Sequence, residues 1–107
     1  MLNQVAKQNA SGVGASVTTQ IGGDSNMVNW SIKINKDGAT SGTIALTAKS
    51  PNAATAETVY DSYGAAIVFN CASSTPQTYY FTGKPVDLVI LTPSALNGTY
   101  KYSFSQW

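Results

Sequence analysis

The thiol of Cys71 and the carboxylates of Asp24, Asp37, Glu57, Asp61 and Asp87 are the side chains best suited to acid–base, thiol or metal chemistry in this sequence. They have little to work with. The chain contains no histidine, and its 6 basic residues are all lysine. Histidine is the usual general base and metal ligand near neutral pH, and arginine is the preferred clamp for phosphates, carboxylates and bases. Cys71 closes an apolar run on the same alternation as Ile67 and Phe69, which reads as a buried structural thiol and not as a nucleophile. Asp24, Asp37 and Asp61 sit in turn sequences, where aspartate bonds to nearby backbone. Glu57 and Asp87 stand alone. Two convergent carboxylates would support glycosidase chemistry, and the Asp24 or Asp61 loops could take calcium, but the spacing argues for neither. The expectation is a protein that is not an enzyme and needs no cofactor or metal. Its function is contact.

Composition points the same way. Charged residues make up 10% of the chain, against about a quarter in typical globular domains, while serine and threonine supply roughly a fifth. A formal net charge of +1 creates no field for nucleic acid or an anionic membrane. No apolar stretch has the roughly 20 residues a membrane helix needs, and the first residues lack the apolar core of an export signal. One cysteine excludes an internal disulfide. Three Asn-x-Ser/Thr triplets, starting at Asn9, Asn29 and Asn97, match what chance provides in so amide- and hydroxyl-rich a chain.

At 107 residues the chain fits a single domain. Residues 1–12 are polar and read as an N-terminal arm or short helix outside the core, leaving 13–107 as one domain. From Val13 the period is two. Val13, Ala15, Val17, Thr19 and Ile21 alternate with small or polar residues. Val28, Trp30, Ile32 and Ile34 face one way, with Asn29, Ser31, Lys33 and Asn35 opposite. Asp37-Gly38 carries the signal of a tight hairpin. Further strands are expected over 43–49, 58–60, 66–71, 77–82, 86–92 and 99–105, broken by Asp61-Ser62-Tyr63-Gly64, Gly83-Lys84-Pro85 and a loop over 93–98. These seven or eight short strands predict an all-β, antiparallel sandwich or jelly-roll-like domain. Its expected core is Trp30, Ile32, Ile34, Ile44, Leu46, Ile67, Phe69, Leu88, Ile90, Tyr100, Tyr102 and Phe104, although the run Leu88-Val89-Ile90-Leu91 is apolar on both faces.

The remaining aromatics are candidates for binding. Tyr60 and Tyr63 flank a turn, Tyr79 and Tyr80 must point to opposite faces, and Trp107 ends the chain. Exposed aromatics suit protein contacts and stack on sugar rings; half-burial against neighbours is the alternative. The candidate protein-contact residues are Leu2, Val5, Tyr60, Tyr63, Tyr79 and Trp107.

Polar arm, compact hydroxyl-rich β-domain, initiating methionine and absence of catalytic residues together resemble the small decoration or cement proteins of tailed-bacteriophage virions. The resemblance is one of layout over the whole chain and carries no motif. It implies a β-sandwich or jelly roll made in the host cytoplasm without a signal peptide, placed on the outer capsid surface, binding the major capsid protein and itself as a homotrimer or homodimer. The alternative is a carbohydrate- or receptor-binding module of a tail fibre or adhesin, with exposed aromatics and amides lining a groove.

Overall fold

The computed structural model describes residues 8–14, 18–72 and 77–107. Leu2 and Val5, and the alternation at Ala15 and Val17, lie outside the described residues. The protein is all-β, built from β1 (Gln8–Gly14), β2 (Thr19–Gly22), β3 (Trp30–Lys36), β4 (Thr43–Lys49), β5 (Glu57–Thr58), β6 (Val68–Asn70), β7 (Gln77–Phe81), β8 (Leu88–Ser94) and β9 (Tyr100–Gln106). Among the described residues no helix is long and apolar enough to cross a membrane.

Two antiparallel sheets face each other. One has the order β1-β9-β3-β7; the other runs β2-β8-β4-β5, with β6 also paired to β4. β5 and β6 are two pieces of one interrupted strand. They lie in succession along β4, Thr58 opposite Thr47 and Val68 opposite Ala45, and between them Val59 and Ile67 both bond to Leu46. Counted so, eight strands pair first with last, second with seventh, third with sixth and fourth with fifth. That is a long hairpin rolled up on itself, the jelly-roll topology.

The core forms where the two sheets turn their apolar stripes together. Trp30, Ile32, Ile34, Ile44, Leu46, Ile67, Phe69, Tyr100 and Phe104 are buried, as their alternation predicts. Tyr102 is half-buried against this cluster. Leu88 and Ile90 are corrected: Val89 and Leu91 are the buried pair of β8, and Leu88 and Ile90 take the outer face. Register decides it. Leu91 lies opposite Leu46 and Val89 opposite Ile21, and residues directly opposed in a ladder share a face.

Three further expectations change. Pairing begins at Gln8, not after residue 12, because β1 forms a full ladder with β9 from Gln8–Gln106 to Gly14–Tyr100. Val28 precedes β3 and is exposed; its carbonyl accepts from the Lys84 amide. Pro93 and Ser94 belong to β8, since the β2 ladder stops at Leu91 and a proline beyond it interrupts nothing on that side.

The Asp37-Gly38 turn is not a hairpin. β3 and β4 lie in different sheets, and Gly38 does not take a positive φ. The amides of Asp37, Gly38 and Ala39 all donate to the carbonyl of Thr99, so the β3–β4 crossover is laid against the β8–β9 loop. Asn97 locks it, its Oδ1 accepting from the Thr40 and Ser41 amides and its Nδ2 donating to Thr40 Oγ1. Glycine at 98 is required there, because a Cβ would sit 2.6 Å from the Gly38 carbonyl oxygen.

Candidate contact surfaces and groove

The candidate catalytic groups are mostly dispersed, and of them only Glu57 and Asp61 line a common space. Asp24 Oδ1 accepts from the Asn26 amide, and Asp61 Oδ1 accepts from Tyr63 and Ala65. These are the local turns that aspartate favours. Asp87 pairs with Lys49 at 3.0 Å and Asp37 with Lys101 at 3.7 Å. Among the described residues no three Cys, Asp or Glu side chains meet as a metal site. The Cys71 thiol is fully buried. Burial pushes its pKa up, partly opposed by the positive charge of Lys36, so it is a poor nucleophile.

The interruption between β5 and β6 projects as a small finger. Tyr60 bridges to Ala66, the Asp61 amide donates to the Ala65 carbonyl, and Gly64 closes the turn with a φ of 81°. At its tip Tyr63 is 94% exposed, and at its base Tyr60 is 58% exposed. The finger exists because Asp61 and Gly64 supply the turn chemistry, and because Val59 and Ile67 return the chain to the same point on β4.

On β7 the two tyrosines part as strand geometry demands. Tyr79 is half-buried against the core, and Tyr80, at 70% exposure, is the one that faces solvent. Trp107 is half-buried, and its backbone exchanges two hydrogen bonds with Asn29. It extends the β9–β3 ladder and is not a loose terminal aromatic. Of the contact candidates, Tyr60 and Tyr63 are therefore brought together on an exposed element, while Tyr79 and Trp107 lie elsewhere and are partly covered.

Burial also raises the pKa of the Tyr79 and Tyr100 phenols; for Tyr100 the hydrogen bond to Thr19 Oγ1 lowers it and neighbouring Tyr102 raises it. In the unfolded chain these groups ionise first, at their ordinary values of 9.0 for the thiol and 10.0 for the phenols. Their contribution to stability is thus complete below those values and is lost as pH rises through the higher folded ones. Urea midpoints are expected to fall above about pH 9–10. A rising midpoint in that range would contradict the burial of these groups.

Sequence reasoning missed two features. The first is Gln106, a fully buried polar residue. It continues the phase of Tyr100, Tyr102 and Phe104, which is the signal that could have found it. Its Oε1 accepts from the Asp24 amide at 2.6 Å, and its Nε2 donates to the carbonyls of Asp24 and Val86. One side chain thereby ties β9 to the β2–β3 loop and to the segment entering β8.

The second is a groove of about 680 Å³ between the β7 and β5 edges. Trp30 and Phe81, stacked with centroids 4.2 Å apart, form one wall. Glu57, Tyr60, Asp61, Lys84 and Pro85 also line it. The indole N–H of Trp30 is buried without a hydrogen-bond partner among the described residues. Such an orphan costs about 1–3 kcal/mol and is rare in folded proteins. Only tertiary structure could show it, because residues from five separate segments line the space.

No family model matches the chain, and no curated protein matches it. Among solved structures it is similar to the SPBc2 prophage-derived protein YomS, with a TM-score of 0.61 and 12% identity over 98% of this chain and 97% of that one. It is also similar to a protein of the Bacillus endospore appendages, described as a novel family of disulfide-linked pili, with a TM-score of 0.54 and 19% identity over 94% of this chain and 82% of that one. At these identities the likeness is one of fold: the chain shares a β-sandwich fold with a prophage-derived protein and a pilus protein.

Proposed function

We propose that this chain is a non-enzymatic structural protein of a phage particle, a decoration or cement protein that binds the outer surface of the head and associates with itself. The observation that carries the reading is the state of the sheet edges. The outer strands β1, β7, β2 and β6 contain no charged residue and no proline, and β5 contributes Glu57 alone. Soluble β-proteins usually guard their edges with lysine, proline or inward charges, because an open edge is a template for another strand. In one sheet the outer strands β2, β5 and β6 are short, at 4, 2 and 3 residues, which itself limits pairing. The longer unguarded edges of β1 and β7 suit a protein whose edges meet another subunit. Sharing a fold with a prophage-derived protein and a pilus protein supports this reading. The disulfide linkage named for the pili is poorly suited to this chain, whose single cysteine is buried. Non-covalent contact repeated over a lattice would supply the strength instead.

The test uses the full chain. Sedimentation velocity should show a dimer or trimer, and the protein should co-sediment with the cognate capsid shell. Removing residues 1–7, which precede β1, should preserve the far-UV spectrum and weaken one or both associations. A protein that stays monomeric at high concentration and ignores shells would overturn the reading. The carbohydrate- or receptor-binding alternative is favoured by one observation, the groove beside Trp30.

A further inference from the structure

The groove between β5 and β7 rests on different observations from the shell reading, and its fate is independent of that reading. It has an apolar floor, where Ala48, Val59 and Val86 meet the Trp30–Phe81 stack, and a polar rim that includes Ser50, Glu57 and Lys84. Its volume of about 680 Å³ falls within the roughly 300–1,000 Å³ typical of small-ligand sites. Among the described residues neither Glu57 nor Lys84 has an ion-pair partner. The rim therefore offers an uncommitted acceptor and an uncommitted donor.

We propose that this groove binds an oligosaccharide. A pyranose has an apolar C–H face that fits the floor and the exposed ring of Tyr60, while its hydroxyls both give and accept hydrogen bonds. They can give to Glu57 and accept from Lys84. A peptide strand fits less well. The amides of Val59, Asp61 and Lys84 are already bonded to Leu46, Ala65 and Val28, and Pro51 and Pro85 have no amide proton. The rim thus has few backbone donors for a new ladder.

The probes are tri- to pentasaccharides of glucose, galactose and N-acetylglucosamine, with an uncharged extended heptapeptide as the competing class. Calorimetry and tryptophan fluorescence on the full chain should show at least one sugar binding saturably, with a Kd of about 1 mM or tighter. Tyr60→Ala and Glu57→Gln, both at exposed positions, should each weaken that binding by about tenfold, the loss of one stacked ring or charged hydrogen bond. Trp30→Phe, which leaves a smaller ring in the lining, should weaken it by about threefold. Tyr80→Ala, on β7 but outside the groove, should leave it unchanged. Should Trp30→Phe fail to fold, Tyr60→Ala and Glu57→Gln still decide the matter. Absence of binding by every sugar overturns the proposal. So does equal loss in Tyr80→Ala, or peptide binding with the same sensitivity to Tyr60 and Glu57.

Discussion

Truncating Trp30 to alanine is expected to cost about 3–5 kcal/mol, the range for deleting a large buried aromatic. That is a large share of the roughly 5–15 kcal/mol that holds a domain of this kind together. Trp30 sits in the ladder between Phe81 and Gln106, stacks on Phe81 and lies 6.0 Å from the Phe104 ring. The alanine variant loses those contacts and leaves a void that the surrounding side chains fill only in part. Denaturant titration would read the loss as a lowered midpoint with an unchanged slope. Trp30→Phe should cost far less, because it keeps a ring against Phe81 and deletes a donor that has no partner. If the alanine variant were as stable as the parent, Trp30 would not be at the centre of this core.

Gln106→Leu should also be strongly damaging, although it removes no core volume. The amide side chain serves three backbone groups from two segments: the Asp24 N–H, the Asp24 carbonyl and the Val86 carbonyl. Leucine fills much of the same volume and answers none of them. Leaving a buried polar group unpaired costs about 1–3 kcal/mol; with the Asp24 groups only partly buried, roughly 3 kcal/mol in all is expected. The segment over 23–27 should also loosen, since Asp24 loses its anchor. Faster amide exchange there, with β3 and β4 unaffected, is the expected pattern. Uniform loss across the domain, or none at all, would show that Gln106 is not a local clamp.

Legibility in the sequence followed the physics of each element. β3, β4 and β9 were readable because large apolar residues alternate strictly with polar ones, and a period of two leaves one choice of face. β8 was not. Leu88-Val89-Ile90-Leu91 is apolar throughout, so its phase depends on which residues of β2 and β4 stand opposite. Asp37-Gly38 has the composition of a hairpin, yet turn chemistry describes only how a chain bends and not which strand it bends towards. β3 already has β9 and β7 at its two edges, so β4 must pair elsewhere. The first strand was hidden for a related reason. Gln8-Asn9-Ala10-Ser11 has no apolar stripe, and its place in the sheet comes from backbone pairing with β9.

The candidate surfaces divide in the same way. Alternation alone required that Tyr79 and Tyr80 part company, and only packing decided that Tyr80 is the exposed one. Tyr60 and Tyr63 were legible as flanking a turn, because Asp61 and Gly64 are turn residues wherever they occur. That this turn is the tip of a finger interrupting one strand was decided by Val59 and Ile67 meeting the same residue of β4. The groove and its orphaned indole N–H had no signal in the sequence. They arise where β3, β5, β7 and the segments over 48–51 and 83–86 converge, and convergence is a property of the rolled-up hairpin as a whole. By itself the sequence determined an all-β chain without histidine or arginine, sparing of charge and patterned for two faces, since composition and period are local quantities. The tertiary structure alone decided which sheet each strand joined, which side chain bridged the sheets and where an open space remained, because each of those depends on residues far apart in the chain.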